Sequence, residues 1–185
     1  SVVTWGETDS GSVANELASG VSEIYSSYHY FAALKSDGSV VTWGYSSSGG
    51  NSSSVSAELS SGVVGVYSNA LAFAALKSDG SVVTWGSQGN GGDSSSVSTE
   101  ISSGVVDIFS SGDRYDAEAG FGSAFAALKS DGSVVTWGSQ NGGGDSSSVS
   151  QDLSSGVDQI FSTSLGAFAA LKSDGSVITL SLIHI

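Results

Sequence analysis

One phrase of fourteen residues governs what this chain can fold into. Phe-Ala-Ala-Leu-Lys-Ser-Asp-Gly-Ser-Val-Val-Thr-Trp-Gly fills positions 31–44 and returns unchanged at 73–86 and 125–138. A fourth copy starts at Phe168, holds as far as Val177 and then gives Ile178, Thr179 and Leu180; a partial fifth, Ser-Val-Val-Thr-Trp-Gly, opens the chain at 1–6. Two short runs of β-branched, aromatic and small apolar residues flank Lys35-Ser36-Asp37-Gly38. Asp before Gly marks a tight turn, because Gly takes the left-handed conformation without steric cost, so the phrase predicts a β-hairpin. Its strands do not alternate apolar with polar: Val40 and Thr42 lie on one face, Val41 and Trp43 on the other, and both faces of Phe31-Ala32-Ala33-Leu34 are apolar. Strands of that kind are covered on both sides. Small sheets stacked face to face are expected, with the alanines permitting close approach.

The Ser-Val strand recurs at Ser1, Ser39, Ser81, Ser133 and Ser176, in steps of 38, 42, 52 and 43 residues. Such a period, with several strands per unit, is that of a propeller or a similar array. The units read as 1–38, 39–80, 81–132 and 133–175, followed by a terminal strand at 176–185, all in one domain. After each Trp-Gly comes a polar loop, four residues shorter in the first unit than in the second. Then comes a segment such as Val55-Ser56-Ala57-Glu58-Leu59, with apolar residues at i and i+4, a Ser before it and a Gly after. One helical turn capped by that Ser is expected there. Gly20, Gly62, Gly104 and Gly156 next open another strand. The fold class is therefore all-β, a propeller-like array of four repeats of roughly 42 residues, each with a few antiparallel strands and a one-turn helix.

The ends raise the question of closure. Residues 1–6 copy the second strand of a hairpin whose first strand is missing, and its backbone groups need a partner. A strand set beside the last unit would shut a four-unit monomeric ring, within the four to eight blades propellers use. The alternative is an open arc whose edge strands pair with a second chain as a homodimer. Since Ser1 stands in mid-repeat, the sequence also reads as a piece of a longer array, and the segment 180–185 departs from the pattern.

Valine strand, Ala75-Leu76, Asp79-Gly80 and Trp85-Gly86 recur in this order in every full unit. In that order they resemble RCC1-type repeats. The resemblance covers nearly the whole chain. It implies propeller blades, which in that family serve either as exchange factors for a small GTPase or as binding scaffolds. The repeats here are shorter and fewer than the family norm, and their loops lack its Gly-Gln-Leu-Gly, so fold and binding role are carried over and no catalytic residue is.

Composition narrows the functions. Eighteen acidic residues against five basic ones give a formal charge of −13, which disfavours nucleic acid and anionic membrane surfaces, and no apolar run is long enough for membrane insertion. There is no Cys. Abundant Ser and Gly lean towards a secreted or surface-exposed bacterial protein. Asp37, Asp79, Asp131 and Asp174 read as turn formers and not as a metal ring. The Gly-rich stretches 89–93 and 142–145 lack the spacing of calcium repeats. Trp5, Trp43, Trp85 and Trp137 read as wedges between sheets, with a sugar-binding groove as the rival. Residues 120–125 fail as a dinucleotide fingerprint, and no nucleophile elbow accompanies His29 or His184. A non-enzymatic chain without cofactor or metal is expected.

Variation between units is confined to loops, where repeat arrays place specificity. The candidates for binding are Tyr28, His29 and Tyr30 in the first unit, and Asp113, Arg114, Tyr115 and Asp116 in the long insert of the third, which holds the chain's one Arg. The insert patch reads either as a self-satisfied ion pair pinning the loop or as a partner contact. The leading expectation is a scaffold for a protein or glycan ligand. The rivals are a purely structural segment of a larger surface protein and, by fold analogy alone, a GTPase exchange domain.

Overall fold

The computed structural model describes residues 1–4, 11–45, 49–112 and 122–180. They form four antiparallel sheets of three strands each. The first holds β1 (Val21–Ser26), β2 (Tyr30–Lys35) and β3 (Val40–Gly44); the second β4 (Val63–Ser68), β5 (Ala72–Lys77) and β6 (Val82–Gly86). The third holds β7 (Val105–Ser111), β8 (Ala124–Lys129) and β9 (Val134–Gly138); the fourth β10 (Val157–Thr163), β11 (Ala167–Lys172) and β12 (Val177–Leu180). Each sheet thus begins at the Gly-Val step, and the first three end at Trp-Gly, so the sheets are offset from units counted from Ser-Val.

The Asp-Gly turns form as expected, in a three-residue version. Gly38, Gly80, Gly132 and Gly175 have φ between 76° and 84°, while no described non-glycine residue has positive φ. A primed turn is thereby excluded, and the geometry is a turn closed by a left-handed glycine. In the first sheet Gly38 N–H donates to Lys35 O and Lys35 N–H to Ser39 O, each at 2.9 Å. Asp37 Oδ1 accepts from Ser39 N–H at 3.0 Å and from Ser39 Oγ at 2.7 Å. Asp79, Asp131 and Asp174 repeat this with Ser81, Ser133 and Ser176. Those bonds favour the ionised carboxyl. The Ser hydroxyl first and its N–H second hold all four Asp below their ordinary values.

Both faces of every sheet are apolar because each sheet packs on the next. The forward face of the first carries Tyr25, Tyr30, Ala32, Leu34 and Val40, and it meets Val63, Val66, Phe73, Ala75 and Trp85 on the rear face of the second. The second meets the third, and the third the fourth, through the same positions. Phe73 stacks on Trp85 and Phe125 on Trp137, with centroids 5.2 and 5.5 Å apart, so Trp85 and Trp137 are the wedges between sheets expected of them. Trp43 is equally buried and stacks on Phe31, but it packs against Val2, Val13 and Leu17 and not against another sheet. Trp5 lies outside the described residues.

Hydrogen bonds join the sheets at their turns. Val63 N–H donates to Gly38 O, Val105 N–H to Gly80 O and Val157 N–H to Gly132 O, at 2.9–3.0 Å. An ideal Cβ on Gly38, Gly80 or Gly132 would stand 2.8 Å from the next sheet's backbone nitrogen.

Two expectations change. The helical turns are 3-10 pieces, such as Ser53–Val55 and Glu58–Ser60, and no Ser side chain caps them. The acceptor is one residue earlier: Ser53, Ser95 and Ser147 N–H donate to Oδ1 of Asn51, Asp93 and Asp145 at 2.9–3.0 Å. Ser52, Ser94 and Ser146 are already engaged with the hydroxyls of Thr42, Thr84 and Thr136 at 2.9–3.0 Å. Nor do residues 1–4 add a strand to the fourth sheet, whose order is β10-β11-β12. Val2 packs on Leu17, Ala33 and Trp43, and its N–H donates to Leu17 O at 3.1 Å. That bond matches the one from Val82 to Ile101 O at 3.0 Å. Residue 2 therefore stands to the first sheet as β6 stands to the third.

Candidate functional site: the variable-loop rim

Asp-Gly turns line one end of the array. At the other end the β1–β2, β4–β5, β7–β8 and β10–β11 loops lie beside the residues that follow Trp-Gly. Tyr45, Ser87 and Ser139 N–H donate to the carbonyls of His29, Leu71 and Ser123 at 3.2, 2.9 and 2.9 Å. One backbone frame is thus repeated under changing side chains.

The rim is tied together from sheet to sheet. Ser27 Oγ donates to Asn69 O, and Ser68 Oγ to Ser26 O at 3.0 Å. Asn69 Oδ1 accepts from Leu71 and Ala72 N–H at 3.0 and 2.8 Å, while its amide donates to Asn90 O at 2.8 Å. Asn90 Oδ1 accepts from Ser123 N–H at 3.1 Å. Ala70 N–H donates to Gly112 O, and Gly112 N–H to Thr163 O, both at 3.2 Å. Ser111 Oγ reaches Gly142 O at 2.6 Å. Buried polar groups satisfied in this way fix loop geometry.

The first-sheet candidates separate on this rim. Tyr28 and His29 are exposed, with ring centroids 4.4 Å apart edge to face, and His29 lies 5.2 Å from the exposed ring of Tyr45. Tyr45 was not singled out from sequence, although it stands where the second and third units have Ser87 and Ser139. Tyr30 takes no place on this surface. It is buried, its hydroxyl donates to Ala70 O at 2.5 Å and its ring meets Phe73 edge to face at 5.7 Å. It occupies the strand position held by Ala72 and Ala124, one residue before the Phe and therefore on the forward face. Asp113, Arg114, Tyr115 and Asp116 lie outside the described residues, as does His184.

Two clefts adjoin the loops. One of about 510 Å³ lies between the loops that follow β3 and β6, lined chiefly by Asn51, Thr84, Gln88, Asp93 and Ser94. Its one carboxylate, Asp93, is held below its ordinary value by Ser95, through the backbone N–H first and the hydroxyl second. A smaller cleft of about 260 Å³ lies between Ser110, Gly112 and Ser162, Thr163, Ser164. Among the described residues no group of three His, Cys, Asp or Glu is placed to hold a metal. Three of the four Lys are used inside the fold: Lys77, Lys129 and Lys172 donate to the carbonyls of Glu58, Glu100 and Asp152 at 2.6–2.8 Å.

Among solved structures, a chain in the crystal structure of Kap60 bound to yeast RCC1 (Prp20) superposes with a TM-score of 0.52 at 16% identity, over 86% of this chain and 41% of its own. Prp20p from Saccharomyces cerevisiae gives 0.53 at 16% identity, over 85% and 43%. The repeats have the RCC1-like propeller fold. The CRINKLY WD40 ectodomain of the Arabidopsis thaliana receptor kinase ACR4 also matches, with 0.53 at 13% identity over 86% and 55%. No protein-family model matches the chain, and no curated protein matches it in sequence. The RCC1-like array spans roughly half the length of these neighbours.

Proposed function

We propose that this RCC1-like array is a non-enzymatic scaffold that binds a protein partner through the rim carrying Tyr28, His29 and Tyr45. One observation carries the reading: three neighbouring rings are exposed on loops whose backbone is hydrogen-bonded from sheet to sheet. Exposed aromatics on a rigid frame give large contact area with little loss of conformational entropy, which is why Tyr is enriched at binding hot spots. The yeast neighbour is described in complex with Kap60, a protein partner on the same fold. A formal charge of −13 favours a partner surface of neutral or positive potential.

The test is selection of peptides from a displayed library on the wild-type chain, beside a glycan array. Binders should lose about tenfold or more in affinity on the variant Tyr28→Ala, Tyr45→Ala. Peptides that bind both chains equally would remove the rim from the reading. Glycans that bind wild type and not the variant would make the ligand a sugar. No binder on either platform would favour a purely structural segment.

A further inference from the structure

The chain has five asparagines, and only Asn51 has a Ser or Thr two residues on. Asn51-Ser52-Ser53 is thus its single Asn-x-Ser/Thr tripeptide, the acceptor pattern for N-linked glycan. The pattern alone decides little, since a buried amide is out of an enzyme's reach. Here the fold turns it outward. Ser52 Oγ lies 2.9 Å from Thr42 Oγ1 on β3, so the middle residue is half-buried, while Asn51 and Ser53 on either side are exposed. Asn51 Oδ1 accepts the Ser53 N–H at 2.9 Å. That bond uses the oxygen of the carboxamide and not its nitrogen, and Asn51 lines the 510 Å³ cleft, so open space adjoins the amide. The second and third units build the same frame with a carboxylate. Asp93 and Asp145 Oδ1 accept from Ser95 and Ser147 N–H at 2.9 and 3.0 Å, and Ser94 and Ser146 are held by Thr84 and Thr136. An Asp therefore serves this turn as well as an Asn does. What the first of the three frames adds is a nitrogen.

The structure assigns Asn51 as the acceptor of an N-linked glycan, transferred from a polyprenyl-diphosphate-linked oligosaccharide. In the transfer Asn51 Nδ2 bonds to the anomeric carbon of the first sugar. The bond from that carbon to the diphosphate oxygen breaks, and the diphosphate leaves with the electron pair. The nitrogen gives up one proton to solvent. The product is still an amide, so its Oδ1 goes on accepting from Ser53 N–H and the turn survives. The glycan stands at the cleft between the loops that follow β3 and β6, as a bulky and solubilising cover on that side of the array.

Expression of the 185-residue chain behind a secretory leader in a eukaryotic host tests this. The expected product carries one glycan. An amidase specific for N-linked glycans should release it and leave a carboxylate at position 51, where peptide mass spectrometry locates it. Asn51→Asp installs the residue that the other two units use, so it should melt as wild type does and carry no glycan. Ser53→Ala keeps the backbone N–H of the turn and should lose the glycan as well. Asp93→Asn writes the same tripeptide on the same frame, and should add a second glycan. A secreted wild type that melts cooperatively and carries no glycan overturns the proposal. So does a glycan that persists on Asn51→Asp. A single glycan on Asp93→Asn would overturn the argument that this turn, by opening the tripeptide to solvent, makes the acceptor.

Discussion

Trp85 donates its indole N–H to the carbonyl of Gly49 across 3.1 Å, and so fastens the second sheet to the loop that leaves the first. Trp137 repeats the bond to Gly91 O at 3.1 Å. Trp43 is equally buried, yet its Nε1 has no acceptor among the described residues. The difference is visible in the sequence. The loops after Trp43 and Trp85 carry Gly49-Gly50 and Gly91-Gly92, whereas the one after Trp5 is four residues shorter and reaches Ser12-Val13 without the pair.

This asymmetry sets the first prediction. Trp→Phe removes similar volume at each site, so the comparison isolates the N–H. At Trp85 it leaves Gly49 O buried without its donor; at Trp43 it removes a donor that has no partner among the described residues. Trp85→Phe should therefore cost about 1–2 kcal/mol more than Trp43→Phe. Urea midpoints on the two variants check it, and equal shifts would show that the indole bond contributes nothing.

The second prediction compares two glycines of like φ. Gly80 and Gly175 have φ of 79° and 84°, so a side chain at either is strained. A Cβ at Gly80 also stands 2.8 Å from Gly104 N and displaces the turn that accepts Val105 N–H. Gly175→Ala should cost about 1 kcal/mol, the left-handed strain alone, and Gly80→Ala clearly more. If thermal melts give equal losses, the turn-to-sheet contact is not holding the array together.

Much of this was legible beforehand, for reasons that can be named. Hairpin and turn follow from Asp-Gly between apolar runs, and stacking follows from strands such as Phe31-Ala32-Ala33-Leu34 that are apolar on both faces. Tyr30 shows the limit. Read as part of a variable stretch it joined Tyr28 and His29, but counted one residue back from Phe31 it falls on the forward face with Ala72 and Ala124. That parity signal was present in the sequence. The helical-turn caps were misassigned because runs of Ser mask which residue turns inward, while the Asn or Asp ahead of them has the geometry to accept. Tyr45 gave no signal by itself, since its nearness to His29 arises from pairing across the sheet.

A third prediction concerns the insert of the third unit. Its described flanks are held fast: Gly112 O accepts from Ser123 Oγ at 2.6 Å and from Ala70 N–H at 3.2 Å. A Cβ on Gly112 would stand 2.6 Å from Gly122 O, so the two flanks are adjacent in space. Replacing 113–121 by one or two glycines should leave the fold and its melting temperature nearly unchanged. A chain that unfolds on this shortening would show that the insert packs as a structural element. Asp113, Arg114, Tyr115 and Asp116 would then lose their standing as partner contacts.

The last prediction is a pH dependence. Asp37, Asp79, Asp131 and Asp174 each accept two bonds from the Ser two residues on, and their folded-state pKa values lie below the ordinary 3.8. A depressed carboxyl binds its proton more weakly folded than unfolded. Its stabilising contribution is therefore complete above 3.8 and is lost as pH falls through the lower folded value. Stability should be flat from neutrality to about pH 5 and fall below pH 4. Ser81→Ala removes the 2.6 Å hydroxyl bond to Asp79, the larger cause of its shift, and keeps the backbone one at 3.0 Å. That variant should lose stability at pH 7, yet lose less than wild type on going from pH 5 to pH 3. Urea midpoints at the three pH values decide it. Parallel acid limbs for the two proteins would mean that these turns do not set the acid sensitivity, which would then lie with carboxylates elsewhere.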